Sequence, residues 1–260
     1  MKVCVLGSGS SGNCIFVASG NTKILIDLGI NATRVEKSLA VLGETCDGIN
    51  ILITHSHHDH TSGVETFCNR HPDAKVFCYG DSADEITRKI RVASDRAQTF
   101  YGDIYIEEVT VSPFKVSHDV SCVGYSLLCA GRKITLATDL GVMTERIVET
   151  MSDSDLVIIE SNHDERMVIS NPNYSPPLKR RILSDHGHLS NEVCAITIEK
   201  LVRFGVKQFV LAHLSRENNY PELAYQTTRD RLLERGLVEG KDYTIEIARQ
   251  DKMSALFEII

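Results

Sequence analysis

Short apolar runs separated by turn residues recur along the first third of the chain and predict strands. The four residues Ser-Gly-Asn-Thr at 19–22 stand between two such runs and predict a hairpin. Helices are expected in the intervals near 32–43, 63–71 and 81–93. The predicted strands are rich in β-branched or aromatic residues and lie at 2–6, 14–18, 23–27, 50–53 and 75–79.

The rest of the chain returns to strand patterns and then mixes strands with helices. Residues 104–111 alternate between apolar and polar positions, and four further apolar runs follow up to residue 160. Ser190 can cap a helix near 190–204 and Gly205 can end it. Two groups of strands with helices between them predict two packed sheets with helices outside, in one domain over 1–260. The remaining predicted elements are a strand at 207–213, a helix near 222–235 and late strands at 243–248 and 255–260.

Composition and charge exclude several classes of protein. With 260 residues, 42% hydrophobic and 24% charged, the chain is neither disordered, nor collagen-like, nor a disulfide miniprotein. No apolar stretch approaches the roughly 18–20 residues of a membrane-spanning helix, and the first residues do not form a signal peptide. We therefore expect a cytoplasmic protein without membrane contact. Its eight cysteines, none in a C-x-x-C pair, are expected to be reduced thiols.

The net charge of −7 makes the whole molecule a poor electrostatic match for nucleic acid. An anionic substrate would need bound cations or a local basic patch. Charge alone therefore does not exclude a nucleic acid substrate, but it requires a positive feature at the site.

Residues 161–189 interrupt the pattern of strands and helices. The stretch holds three prolines together with His163, His186 and His188. Loops longer than about 12–15 residues are uncommon unless they are functional or disordered. We predict a long functional loop here.

The segment Gly7–Gly12 matches the G-x-G-x-x-G pattern of dinucleotide-binding proteins and is followed by Asp27 at a suitable distance. That fingerprint requires a helix that opens at the last glycine, so that its N-terminus meets the pyrophosphate. Here a strand follows instead. We reject nucleotide binding and predict a flexible turn near the mouth of a ligand site.

The strongest chemical signal lies at 53–63, where four histidines and an aspartate fall within six positions. They are spaced as H-x-H-x-D-H directly after an apolar run. Imidazole and carboxylate groups together suit zinc, iron or manganese. Four of the chain's ten histidines do not gather here by chance, so the cluster predicts a metal site. Its members are His55, His57, Asp59 and His60, with His58 between them unassigned.

Three further candidate ligands each follow an apolar strand: His118, Asp139 and His213. A buried strand can deliver a polar side chain from its carboxyl end to a common rim. Taken singly, each residue would more often be a cap or a surface group. Beside the histidine cluster, they predict the rest of a metal site.

The order of these residues resembles the metallo-β-lactamase superfamily, whose fold is a four-layer αββα sandwich of the α/β (α+β) class. The resemblance covers essentially the whole chain. It implies two divalent cations per chain, and the ligand set accepts zinc, manganese or iron. The implied ligands are His55, His57 and His118 for the first cation and Asp59, His60 and His213 for the second, with Asp139 bridging both.

Shorter motifs resemble one branch of the superfamily, the YycJ/WalJ-like bacterial proteins. The motifs are GSGSSGN at the start, then THSHHDH, ATDLG, ESNHD and GHLSN. Members are associated with 5′-to-3′ exonuclease activity on double-stranded DNA, which implies a DNA substrate and DNA-repair proteins as partners. GHLS and LAHLS also resemble tRNase Z-type phosphodiesterases, in which a histidine just before a helix assists at the scissile phosphate; here it is His188.

The resemblance implies a catalytic role for Asp59 and His188. A water bridging two cations has its pKa lowered toward neutrality and supplies hydroxide. Asp59 would ligate a cation and orient that hydroxide. His188 would stabilise a non-bridging oxygen or protonate the leaving oxygen. Asp27 would hold a histidine ligand in the required tautomer.

Substrate contacts are expected from His163 and from two basic groups. Cationic side chains on one surface can bind phosphates, although either basic group alone is more often a solvated charged face. Positions 88 and 91 are expected on one face of the predicted helix. The first group is Arg88, Lys89 and Arg91, and the second is Lys179, Arg180 and Arg181.

Other functions would use the same metals. An RNA phosphodiesterase, or a thioester, lactone or β-lactam hydrolase, would differ only in its pocket. A di-iron oxidoreductase would carry a glutamate where His57 stands. A non-catalytic metal-binding protein would lack some ligands, whereas every expected position here is filled. The sequence favours the phosphodiesterase.

Overall fold

The computed structural model describes residues 1–260, and 14 strands form its two sheets. In chain order these are β1 (Lys2–Gly7), β2 (Cys14–Ser19), β3 (Thr22–Ile26), β4 (Ile49–Ile53), β5 (Lys75–Tyr79), β6 (Ala97–Phe100), β7 (Ile104–Ile106), β8 (Val109–Val116), β9 (Cys122–Cys129), β10 (Arg132–Ala137), β11 (Leu156–Glu160), β12 (Gln208–Ala212), β13 (Thr244–Ile247) and β14 (Phe257–Glu258).

Nine α-helices connect the strands. They are α1 (Ala32–Val41), α2 (His58–Thr61), α3 (Val64–Arg70), α4 (Ala83–Ile90), α5 (Glu145–Met151), α6 (Glu165–Ser170), α7 (Pro176–Ile182), α8 (Asn191–Arg203) and α9 (Pro221–Glu234). None of them combines the length and the apolar character needed to cross a bilayer.

Each sheet has seven strands and is half antiparallel, half parallel. The first runs β14-β1-β2-β3-β4-β5-β6 and the second β13-β12-β11-β10-β9-β8-β7. Strands β3 to β6 pair in parallel in the first sheet, and β10 to β13 do so in the second. Parallel strands end at a common edge, which is where functional side chains collect in such sheets.

The hydrophobic core is divided into three layers. One cluster of 23 buried residues, including Ile24, Leu52, Val123 and Val210, lies between the two sheets. A second of 23 residues packs α1, α3 and α4 on the first sheet, and a third of 18 packs α5, α8 and α9 on the second. Three buried layers require four layers of secondary structure, so the predicted αββα sandwich is confirmed.

Several local predictions are also confirmed. Residues 19–22 form the hairpin between β2 and β3, paired from Ile15 with Ile26 to Ser19 with Thr22. Ser190 caps α8 by accepting a hydrogen bond from the backbone N–H of Val193. The glycine-rich segment Gly7–Gly12 carries no helix and connects two antiparallel strands, as expected for a turn.

Three predicted elements are wrong in detail. Residues 104–111 are not one strand, because Glu107 turns the chain at φ 52° between β7 and β8. The helix expected over 81–93 ends at Ile90, since Arg91 adopts φ 48°; Arg88 and Arg91 therefore share no helical face. The segment 161–189 is not a long loop but contains α6 and α7.

Candidate metal centre

The candidate ligands lie at the carboxyl ends of strands from both sheets. In the first sheet, His55 follows β4 and Asp27 follows β3; in the second, Asp139 follows β10 and His213 follows β12. Asp27, Asp139 and His213 have left-handed backbones, with φ of 58°, 58° and 56°. Asp and His tolerate this conformation better than most residues. The turns after these strands thus aim polar side chains along the shared edge.

Asp27 orients two of the imidazoles. Its Oδ2 accepts a hydrogen bond from His60 Nδ1 at 2.7 Å and another from Thr54 Oγ1 at 2.9 Å. Thr54 Oγ1 in turn lies 2.9 Å from His55 Nδ1. Because Nδ1 of both histidines is engaged, Nε2 is the candidate ligand atom of each ring. It has no hydrogen-bond partner in His55, whereas in His60 it also lies 3.0 Å from Asn13 Nδ2. Asp27 thus contacts one candidate ligand directly and another through Thr54.

Glu160 orients two more imidazoles and was missed by the sequence analysis. Its Oε1 lies 2.6 Å from His213 Nδ1 and 3.0 Å from His188 Nδ1. Its Oε2 accepts the backbone N–H groups of Leu140 and Leu189 at 3.2 and 2.9 Å. Glu160 is fully buried. Since both of its oxygens are engaged, it serves as a positioning residue rather than as a free ligand.

The side chains form four overlapping groups, and within each group the ligand atoms lie within 4.8 Å of one another. The four groups are His55, His57 and His118; Asp59, His60 and His213; His55, His60 and Asp139; and Asp139, Glu160, His188 and His213. The structure therefore brings together all seven residues that the sequence analysis proposes as ligands. Asp139 Oδ2 lies 3.3 Å from His60 Nε2, and Asp139 Oδ1 lies 3.9 Å from His118 Nε2, so it stands between the first two groups.

Three buried atoms of this cluster have no hydrogen-bond partner: His55 Nε2, Asp139 Oδ2 and His213 Nε2. Leaving buried polar atoms unpaired is costly. They are imidazole and carboxylate atoms, the donors that zinc, iron and manganese take. The residues present therefore fit divalent metal ions.

The protein's own charges pair strongly inside the cluster. Burial disfavours the charged form of His60, but Asp139 and Asp27 outweigh it and raise its pKa to about 10. Burial likewise opposes ionisation of Glu160, but His188 and His213 outweigh it and lower its pKa to about 2. Burial lowers the pKa of His55 well below its usual value. Burial also opposes ionisation of Asp59 and Asp139, but His213 and His60 outweigh it and lower the pKa of both carboxyls, so these two candidate ligands are held ionised.

Asp119 is a second residue that the sequence analysis missed. Its Oδ1 lies 3.3 Å from Nε2 of His57 and 3.3 Å from Nε2 of His118, and its Oδ2 lies 3.3 Å from Arg181. His118 Nδ1 contacts the carbonyl of Gly187 at 3.2 Å. The position of Asp119 directly after His118 in the sequence was the available signal.

One member of each basic group contacts a residue next to a candidate ligand. Lys89 on α4 donates to the carbonyl of Ser56, between two candidate ligands, at 3.0 Å and pairs with Glu85 at 2.9 Å. Arg181 on α7 reaches the site through Asp119. Lys179 instead donates to the carbonyl of Ile169. The remaining members, Arg88, Arg91 and Arg180, have exposed side chains.

His163 does not reach the surface. Its side chain is buried, 1% exposed, and its backbone bridges to Ser190 at the start of α8. A residue in that position supports the segment that carries His188 rather than presenting a ring to a substrate. His188 itself remains 17% exposed at the site.

The chain belongs to the β-lactamase superfamily: the family model described as the beta-lactamase superfamily domain matches residues 22–214. Among curated proteins, it is 32% identical to exodeoxyribonuclease WalJ of Streptococcus pneumoniae, over 99% of this chain and 98% of the relative. It is 31% identical to exodeoxyribonuclease YycJ of Bacillus anthracis, over 93% and 92% of the two chains.

Solved structures show the same fold at lower identity. The metallo-β-lactamase fold protein YhfI from Bacillus subtilis superposes with a TM-score of 0.70 at 16% identity, over 97% of this chain and 98% of that one. The short form of human tRNase Z gives a TM-score of 0.64 at 19% identity, over 98% and 99%. These similarities establish the architecture and do not indicate the substrate.

Proposed function

We propose that this protein is a metal-dependent phosphodiesterase, a 5′-to-3′ exonuclease that acts on double-stranded DNA. The observation that carries the proposal is the complete set of seven candidate ligands at the seam of the two sheets, with His188 and cationic side chains beside it. Full-length similarity to two proteins named exodeoxyribonuclease supports DNA as the substrate class. Direction and strandedness follow from the family resemblance.

Two divalent cations would be held by the ligands assigned above, with Asp139 between them. When bound, such a pair activates water at neutral pH and stabilises the charge that develops on a phosphodiester. The ligand set suits zinc, manganese and iron. The side chain of Asp59 is 24% exposed, so its carboxylate would also be able to accept a hydrogen bond from the attacking water.

His188 is the proposed general acid. Glu160 holds its Nδ1 at 3.0 Å, so Nε2 is the atom left to meet the substrate. Burial lowers the pKa of His188, but the Glu160 carboxylate outweighs it and raises that pKa. A protonated imidazole can donate to a non-bridging oxygen or to the leaving oxygen of the phosphodiester.

Arg181 and Lys89 are proposed to bind backbone phosphates of the DNA. Arg181 forms an ion pair with Asp119, the residue after the candidate ligand His118. Lys89 donates to the carbonyl of Ser56, which lies between His55 and His57 in the sequence. Phosphate contacts by Arg and Lys position a duplex without reading its sequence. They supply the local positive charge that an acidic protein needs for a nucleic acid substrate.

A cytoplasmic location and a role in DNA repair, with repair proteins as partners, complete the proposal. All eight cysteines are free in the structure and seven of them are buried. Free thiols are typical of reducing compartments. The repair role rests on the family resemblance.

Incubation of metal-loaded protein with end-labelled duplex DNA, single-stranded DNA and RNA tests this function. We expect product ladders from duplex DNA, with label released first from the 5′ end. Asp139→Ala should abolish cleavage and lower metal content measured by atomic emission. Arg203→Ala, on the far end of α8, should leave both unchanged. Cleavage of RNA alone would favour the RNA phosphodiesterase, and intact nucleic acids with full metal occupancy would favour an ester or thioester hydrolase.

A further inference from the structure

A cavity of about 420 Å³ adjoins the candidate metal centre. It lies among the turn after β1, the segment after His213 and the segment after β13. The lining residues with chemistry to offer are Ser8, Arg216, Tyr220, Arg249, Gln250 and Asp251. The proposed function does not use any of them.

Ser8 forms the wall between this cavity and the candidate ligands. Its Oγ accepts the backbone N–H of His213 at 2.8 Å and donates to Asn13 Oδ1 at 3.1 Å. Asn13 Nδ2 lies 3.0 Å from His60 Nε2. One buried serine and one buried asparagine thus separate the cavity from two proposed ligands of the second cation. A group in the cavity would therefore be two side chains away from the candidate metal centre.

The glycine-rich turn is shaped around this cavity. Gln250 Nε2 donates to the carbonyl of Leu214 at 3.1 Å, and Gln250 Oε1 accepts from Ser11 at 2.8 Å. A Cβ on Gly9 would lie 2.3 Å from Gln250 Nε2, and Gly9 has φ 142°. Only glycine allows the turn to approach Gln250 this closely. The segment Gly7–Gly12, which resembles a nucleotide fingerprint, therefore forms one side of this cavity although no helix follows it.

The lining combines the groups that recognise a nucleotide. Arg216 and Arg249 are exposed cations, whose nearest polar partners are Ser11 at 3.3 Å and Glu222 at 3.8 Å. Those weak contacts leave both guanidinium groups able to bind a phosphate. Tyr220 is 49% exposed and offers a ring face to a base. Gln250 and Asp251 add hydrogen-bonding groups for a sugar or a base edge.

We propose that this cavity binds the 5′-terminal nucleotide of the DNA, with Arg216 and Arg249 on its 5′-phosphate and Tyr220 against its base. The inference rests on the proposed function, since it names the end of the substrate that the exonuclease recognises. In a DNA strand, one sugar separates the 5′-phosphate from the first phosphodiester bond. A pocket for that phosphate must therefore adjoin the metals, as this cavity does.

Calorimetric titration of metal-loaded protein with thymidine 5′-monophosphate, thymidine and 2-deoxyribose 5-phosphate tests the pocket without cleavage. We expect the monophosphate to bind more tightly than thymidine. Arg216→Ala and Arg249→Ala should each weaken its binding by about tenfold or more, since each removes a charge-assisted contact. Tyr220→Leu should weaken binding of the monophosphate but not of 2-deoxyribose 5-phosphate. The control Arg203→Ala should change none of these affinities.

Cleavage assays separate failure of the pocket from failure of the proposed function. Duplexes with a 5′-phosphate should be degraded faster than those with a 5′-hydroxyl, and the two arginine variants should reduce that ratio. Equal affinity for the monophosphate and thymidine, or full affinity in both arginine variants, would overturn the pocket. Nucleotide binding as expected in a protein that cleaves no DNA would overturn the exonuclease and leave the pocket in place.

Discussion

Single residues at the site take up backbone conformations that most side chains avoid. Asp27, Asp139 and His213 are left-handed, and each supplies a contact that the site depends on. A non-glycine residue in such a region costs on the order of 1–3 kcal/mol, and such residues cluster at functional sites. The backbone strain at these three residues lowers the stability of the fold. A glycine at any of them would relieve the strain but would also remove the functional side chain.

Glu160 should act on catalysis through His188 and His213 rather than on the substrate. We expect Glu160→Gln to lower kcat more than it raises KM, and to shift the alkaline limb of the pH–rate profile, along which His188 loses its proton, to lower pH. The reason is that the carboxylate raises the pKa of His188. A pH–rate profile on duplex DNA measures this.

His188→Ala is the matching variant for that experiment. It should lose the same limb of the profile altogether, with metal content unchanged. If Glu160→Gln lost metal but kept the profile of the wild type, the pairing with His188 would not be its main role.

His163 should make the protein sensitive to acid. Burial lowers its pKa to about 4, below the usual value of about 6.5. The unfolded chain then binds more protons than the native state between those values. Stability is therefore full above about pH 6.5 and lost as the pH falls toward 4, by up to about 3 kcal/mol.

Urea unfolding with chelator present, at several pH values, measures the contribution of His163. We expect His163→Gln to flatten the pH dependence between about pH 6.5 and 4 relative to the wild type. The exposed residue His186 provides the control variant His186→Gln. An unchanged slope in His163→Gln would show that the buried ring does not set the acid limit.

At the scale of elements, the turn after β3 is packed tightly against the start of α2. A Cβ on Gly29 would lie 1.6 Å from the carbonyl oxygen of Asp59 and 2.7 Å from the backbone nitrogen of His60. Gly29→Ala must push two proposed ligands away, at a cost of about 1–3 kcal/mol or more. We expect a lower midpoint of thermal unfolding and weaker metal affinity in competition with a chromophoric chelator.

Gly102 provides the matched control for this substitution. A Cβ there would meet no atom within 4 Å, and its φ is not in the left-handed region. Gly102→Ala should leave both the thermal midpoint and the metal affinity unchanged. Wild-type metal affinity in Gly29→Ala would show that the turn does not position the ligands.

Elements with a strong apolar pattern were predictable from sequence, and those defined by tertiary context were not. The strand that ends at Glu160 is apolar in its other four residues, and so its existence was evident. Strand β6 was missed because its residues, Ala-Gln-Thr-Phe, are mostly polar and half exposed at a sheet edge. Helix α7 was taken for a loop because of Pro176 and Pro177, which in fact stand in its first turn, after the cap Ser175.

The site shows the same division. His55 and its neighbours stand together in the sequence, and the strand-end rule located His118, Asp139 and His213. Glu160 also stands at the end of an apolar strand, but no motif in the sequence indicated that this strand end lies beside those that carry the candidate ligands. Asp119, Arg216 and Arg249 belong to no periodic pattern, and only the folded chain shows what they face.

At the scale of the whole molecule, the proposed ligands come from both sheets. Cations that bind the native state but not the unfolded chain stabilise it by mass action, about 2.7 kcal/mol at 100 times the Kd. We expect metal loading to raise the thermal midpoint, and chelation to reverse this. Asp139→Ala should lose the response because it removes the residue between the proposed ligands of the two cations.

Scanning calorimetry with and without zinc or manganese measures this effect. The control Arg203→Ala should respond to metal as the wild type does. A midpoint that does not depend on metal in the wild type would argue against cations shared between the sheets.

The order of strands along the chain has one more consequence. All strands of the first sheet except β14 come from residues 2–100, and the second sheet comes entirely from residues 104–247. The covalent link between these halves at 101–103 is exposed. A protease cut there would leave two pieces joined by the inter-sheet core, by β14 and by any shared cation. The two fragments of the cleaved protein would then dissociate more slowly when metal is bound than when it is removed.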